Sequence, residues 1–132
     1  CVPDSDLSRV VQIAISPVPG PEILAGSTRL KAGTAQKLVL NMLSTATFIR
    51  LGYVYGNLMV NVQPTNSKLV DRARRIIAHA VGISYERASD LLEAAGDSVR
   101  TAIVMAKAGV DRSTAEQRLA AAGGRISKAI NG

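Results

Sequence analysis

The chain has 132 residues, a formal charge of +6, 47% hydrophobic and 20% charged residues, one Phe, three Tyr and no Trp, which suits one domain with at most a small appendage around an aliphatic core. No run reaches the roughly 18 to 20 continuous apolar residues of a membrane span, and no charged-then-apolar leader is seen, so a soluble cytoplasmic protein without membrane partners is expected. The excess of cations raises nucleic acid as a partner, but eleven of the sixteen are scattered Arg, the cluster Arg72, Arg74 and Arg75 sits beside Asp71, and no aromatic residues interleave, so no nucleic-acid partner is expected.

In chain order, Cys1 to Pro3 reads as the end of a strand whose neighbours lie upstream, so the chain is expected to be a piece of a longer protein. Its single cysteine, Cys1, forms no internal disulfide framework and gives no metal-ligand spacing. Asp4 or Ser5 can cap a turn to about Val11, and Gln12 to Ser16 is an apolar run stopped by Pro17, Pro19, Gly20 and Pro21. Strand, short helix, strand fits the closing edge of a parallel α/β sheet. From Ser27 the pattern turns helical: Ala35, Leu38, Val39, Met42, Ala46 and Ile49 form one apolar stripe on a long helix ending near Gly52. Tyr53 to Pro64, broken by Gly56, reads as an irregular or partly extended connector. A second helix starts at a Thr65 or Asn66 cap, buries Leu69, Ala73, Ile76, Ile77 and Ala80, and stops at Gly82. His79 lies next to that face as a packing neighbour rather than a ligand.

The tail contains an internal repeat. A shift from Gly82 to Gly109, 109 − 82 = 27 positions, superposes 82–103 on 109–130. Ala88/Ala115, Leu92/Leu119, Ala95/Ala122, Gly96/Gly123, Ala102/Ala129 and Ile103/Ile130 are identical pairs. Each unit is a small helical hairpin, with Ser84 and Asp111 as N-caps and Gly96 and Gly123 as stops. The plain reading is a small helical bundle; its Gly- and Ala-rich helices also resemble ubiquitin-associated domains.

The segment richest in chemistry is Gly20 to Lys37, GPEILAGSTRLKAGTAQK. Pro-bracketed and stiff, it carries one carboxylate, a Gly-Ser-Thr turn and three cations where a strand hands over to a helix. Amides and hydroxyls of Ser27 and Thr28, with Arg29 or Lys31, can bind an anion such as a sugar phosphate at a helix start. Glu22 is the only acidic residue between Asp6 and Asp71 and can accept hydrogen bonds from sugar hydroxyls. The alternative gives Ser27 a plain capping role, Glu22 a pairing with Arg29 or Lys31, and Lys37 a solvated face.

Gly20-Pro21-Glu22, Gly26-Ser27-Thr28-Arg29-Leu30-Lys31, Ala32-Gly33-Thr34 and Lys37 resemble the motif shared by bacterial N-acetylmuramic acid 6-phosphate etherases and the glucokinase regulatory protein. LVLNMLST (38–45), VYGNLMVNVQPTNSKL (54–69) and the tail resemble the etherase branch. The resemblance implies a mainly α chain corresponding to a C-terminal half. Residues 1–62 would hold the closing strands and long helix of an α/β/α sugar-isomerase (SIS) fold, and 63–132 a helical tail with a ubiquitin-associated-like repeat at 82–130.

It further implies a homodimeric, cytoplasmic carbon–oxygen lyase of peptidoglycan recycling. Such a lyase splits the D-lactyl ether of N-acetylmuramic acid 6-phosphate to N-acetylglucosamine 6-phosphate and D-lactate, with neither metal nor nucleotide cofactor. The family's two catalytic glutamates are expected upstream, so no catalytic residue is assigned here and the chain alone is expected to be inactive. Substrate contacts are expected, from the chemistry of the loop, at Glu22, Ser27, Thr28, Arg29 and Lys31. Two other readings stay open: a non-catalytic sugar-phosphate sensor of the glucokinase-regulatory type, and an autonomous helical interaction module.

Overall fold

Short polar side chains set most helix starts. In the computed structural model, which describes residues 1–132, Ser5 opens α1 (Asp6–Val10) by accepting from the Ser8 amide. Asn66 opens α3 (Ser67–Val81) through the Leu69 amide, Ser84 opens α4 (Tyr85–Ala94) through Arg87, and Ser98 opens α5 (Val99–Ala108) through Thr101. Asp111 does the same for α6 (Arg112–Ala121) through Thr114. Each oxygen satisfies one of the amides that a helix start leaves unpaired. The remaining elements are α2 (Lys31–Arg50), the strands β1 (Val54–Tyr55) and β2 (Leu58–Met59), and α7 (Ile126–Asn131). The chain is therefore mainly α, as expected, and none of its helices is long and apolar enough to cross a membrane.

The fold divides into two compact units, Cys1–Thr47 and Phe48–Gly132. In the first, the expected strands do not form: Cys1 to Pro3 and Gln12 to Ser16 are irregular. A strand is held by its neighbours' backbone groups, and the only paired strands here are β1 and β2, which pair with each other. The long helix is present but starts at Lys31 rather than Ser27. Residues 27–30 are held in tight turns instead, with Ser27 N–H donating to Leu24 O (3.0 Å) and Thr28 N–H to Gly26 O (3.2 Å). The apolar positions of α2 recur at helical spacing, yet no residue of the helix is buried.

The second unit holds the core. The connector after α2 is an antiparallel hairpin, Val54 opposite Met59 and Tyr55 opposite Leu58, with Gly56 in its turn at φ +59°. Val60 and Val62, just beyond it, are buried in one cluster with Ala73, Ile76 and Ile77 of α3. Leu69 and Ala80 pack against that cluster partly buried, and His79 is exposed. The repeat shows directly in the elements: a shift of 27 positions carries α4 onto α6 and the start of α5 onto the start of α7. Gly82 and Gly109 close α3 and α5 in the same left-handed conformation. The middle helix has a double role, since α5 packs against α3 and α4 on one side of the repeat and against α6 and α7 on the other.

Candidate functional site

Glu22 reaches nine residues along the chain to the start of α2. One carboxylate oxygen accepts the Lys31 amide (2.9 Å) and the other the Ala32 amide (3.0 Å). The first free amides of the 20-residue helix thus meet a carboxylate from the same loop, and the positive end of the helix dipole favours that charge. Gly33 N–H donates to Thr28 O and Thr34 N–H to Leu30 O, so the amides from Lys31 to Thr34 all have partners inside the chain. Lys31 folds back as well, its Nζ donating to Pro21 O at 2.9 Å. The loop from Pro21 to Lys31 is thereby closed at its base by three hydrogen bonds, from Lys31 N, Lys31 Nζ and Ala32 N.

These bonds have an electrostatic signature. The Ala32 and Lys31 amides, followed by the Lys31 charge, hold the Glu22 carboxyl below its ordinary 4.5, against a smaller opposing effect of desolvation. A carboxylate whose pKa is depressed by folding contributes stability that is fully present above its unfolded value and is lost as pH falls through the depressed folded value. We therefore expect the Lys31 and Ala32 amides to be protected, relative to their intrinsic exchange at the same pH, near neutral pH, and to lose that protection as pH falls through the lowered folded value. In Glu22→Gln the same amides should lack that protection at both pH values; a loss of protection in acid that persists in this variant would assign it to another group.

The other residues singled out from the sequence crown the same loop. Ser27 is half-buried, while Thr28 and Arg29 are exposed. The side chains of Ser27, Thr28 and Arg29 make no hydrogen bond within the chain, and Arg29 takes part in none of its three ion pairs. The structure thus divides the five residues into two sorts: Glu22 and Lys31 fasten the loop, and Ser27, Thr28 and Arg29 present free polar groups. Lys37 is exposed on α2. Beside the loop lies an open cleft of about 370 Å³ whose walls include Leu7, Ile15, Pro17, Val39 and Leu40, with Thr28 as the one member of the five.

Chemically the loop can bind an anion or a polyol, but it holds a single carboxylate, and no three His, Cys, Asp or Glu side chains gather into a metal-binding group. Two further features escaped the sequence reading. One is a cleft of about 260 Å³ between residues 60–65 and 97–100, lined by Asn61, Gln63, Asp97 and Arg100; the polar residues interrupting the apolar run after β2 were its only trace. The other is a cluster on α3 and α4, where Tyr85 donates to Asp71 (2.9 Å) and Asp71 pairs with Arg75 (2.8 Å).

Fold and loop together define a mainly helical chain with a polar loop that presents hydroxyls and a cation at the head of a long helix. No protein-family model matches the chain. Curated relatives do. It is 55% identical over 130 residues to the N-acetylmuramic acid 6-phosphate etherase of Serratia proteamaculans. It is 53% identical over 131 residues to that of Lactobacillus johnsonii and 54% identical over 130 residues to that of Mycolicibacterium smegmatis. These matches take in 98 to 99% of this chain and 44% of each relative, so the chain spans less than half of their length. The resemblance carried by Gly20 to Lys37 thus extends along the whole sequence, which is homologous to part of an N-acetylmuramic acid 6-phosphate etherase.

Proposed function

We propose that this chain is the C-terminal part of a lyase that cleaves the D-lactyl ether of N-acetylmuramic acid 6-phosphate, releasing N-acetylglucosamine 6-phosphate and D-lactate. The observation that carries this is 53 to 55% identity over nearly the whole chain to relatives of that name. In this reading residues 1–62 complete a SIS fold, 63–132 form a ubiquitin-associated-like helical tail, and the parent works as a cytoplasmic homodimer in peptidoglycan recycling.

The reaction sets the demands on the site. A base removes the proton next to the open-chain sugar aldehyde, the bond from the neighbouring carbon to the ether oxygen breaks, and an acid protonates the departing lactate oxygen. Water then adds to the resulting double bond. The resemblance puts both proton carriers in the part of the parent that this chain does not span; in keeping with that, the loop offers one carboxylate, whose oxygens accept backbone amides. The loop's share is substrate binding: Arg29, Thr28 and Ser27 present free polar groups to the sugar phosphate, beside the Ser/Thr-rich phosphate loop that the resemblance places mostly upstream. Lys31 and Glu22 fix their placement, with the remaining lone pairs of Glu22 free for a sugar hydroxyl.

The test compares the parent with this chain alone on the muramic acid 6-phosphate, reading D-lactate. Release by the parent and none by the chain is expected; substrate binding by the parent without any release would favour the regulatory reading. Arg29→Met in the parent should raise KM about 10- to 100-fold, the loss of a charged hydrogen bond of about 1.5 to 3 kcal/mol. Its melting temperature should stay unchanged, because the Arg29 side chain is exposed and without an ion pair. An unaltered KM would remove Arg29 from the site.

A further inference from the structure

We propose that the cleft between residues 60–65 and the start of α5 takes up a short extended peptide as an added strand, with an acidic side chain of that peptide on Arg100. The cleft lies wholly within the second unit, and the proposal does not depend on the lyase reading. Its first support is an open backbone. Past β2 the burial alternates as in a strand: Val60 and Val62 are buried, Asn61 is half-buried and Gln63 is exposed. Val60 N–H still donates to Tyr53 O across the hairpin (2.9 Å), but the amides of residues 61–63 and the carbonyls of residues 60–62 form no backbone hydrogen bond within the chain. Every residue from 60 to 65 borders the cleft. Successive side chains of a strand point to opposite faces, so a cleft that touches each residue in turn runs along the edge, where the backbone groups point. An unpaired edge of this kind is a template for another chain.

The far wall supplies the selectivity. Arg100 takes part in none of the chain's ion pairs, and its guanidinium is held over the Tyr53 ring at 5.6 Å, a cation fixed in place without a counter-charge. Ser98 Oγ accepts from the Thr101 amide (3.3 Å) and from the Thr101 hydroxyl (2.8 Å), which leaves its own proton to donate. Asp97 adds an acceptor for a peptide N–H. It holds φ +61° where its repeat partner, Gly124, holds +77°. A turn of that hand suits glycine and gains nothing from a carboxylate, which is left to serve the cleft. At about 260 Å³ the cleft falls short of the roughly 300 Å³ at which small-molecule pockets begin. An extended chain asks for less, about 3.3 Å of edge per residue.

The experiment titrates the whole chain into a fluorescently labelled, end-blocked peptide Val-Thr-Glu-Thr-Val, whose β-branched residues favour the extended form. Saturable binding is expected, with NMR amide shifts confined to residues 60–65 and 97–100 and with amide exchange slowed at residues 61–63. Lys in place of the peptide's Glu should weaken binding at least about 10-fold, the loss of one charged hydrogen bond. N-methylation of all the peptide's internal amides should abolish it, and neither change touches the protein. Asp97→Gly should weaken binding while raising the melting temperature, which separates lost binding from lost structure. Absence of binding, or shifts centred on residues 1–51, would overturn the site. Equal affinity for the Glu and Lys peptides would overturn the role of Arg100, and binding that survives methylation would overturn the added strand.

Discussion

Gly52→Ala is expected to be the most damaging single-atom-scale change in the chain, lowering the melting temperature by more than about 10 °C. Two costs add. Gly52 sits at φ +76°, a left-handed conformation that costs an L-residue about 1 to 2 kcal/mol. A Cβ there would also lie 2.7 Å from the Gly124 carbonyl oxygen, 2.8 Å from its carbon and 3.0 Å from the Arg125 nitrogen. Those atoms are backbone, so relief requires moving the turn between α6 and α7, and forced overpacking costs about 1 to 3 kcal/mol more. The surroundings resist such a shift: Phe48 stacks on Tyr53 at 5.7 Å, and the Arg100 guanidinium lies over the Tyr53 ring at 5.6 Å. Differential scanning calorimetry of wild type and variant decides the matter. A melting point within a degree or two of wild type would mean that the two glycines do not meet in solution.

Ile103→Ala should cost about 2 to 5 kcal/mol, the range for emptying a fully enclosed aliphatic site. Ile103 is 0% exposed, on the helix that packs against four others. Its repeat partner Ile130 is identical in sequence but lies at the end of the array, only partly buried against the core. Truncating Ile130 should therefore cost clearly less, and the pair measures position at constant chemistry. Urea unfolding of both variants reads the difference directly. Equal losses would show that the second hairpin is as enclosed as the first.

The parts of the fold legible in the sequence are those decided within a few residues. Ser5, Asn66, Ser84 and Asp111 announce helices because a cap and the amide it satisfies are neighbours. The repeat is legible because the same residues recur at a fixed offset and fold into the same helices. The reading failed at Gln12 to Ser16, where an apolar run suits a strand but the strands needed to pair with it are not in the chain. Glu22 was legible as an exceptional carboxylate, while its grip on Lys31 and Ala32 depends on how the Pro-bounded loop turns back, which no residue type encodes. The approach of Gly52 to Gly124 joins positions 124 − 52 = 72 residues apart, and in sequence both are ordinary helix-ending glycines. The five site residues share one loop because they share one stretch of sequence; their division into fasteners and free groups came only from the structure.

The double role of α5 makes the tail open-ended in construction. One hairpin ends on the helix from which the next begins, so α7 stands where a further hairpin of the same 27-residue period would start, as in a solenoid. On α7 itself Ile126 and Ala129 face inward and buried, while Ser127, Lys128 and Asn131 face water. At the same offset α5 carries buried Thr101 and Val104 where α7 carries Lys128 and Asn131, so stacking a further period on α7 would bury a charge and an amide.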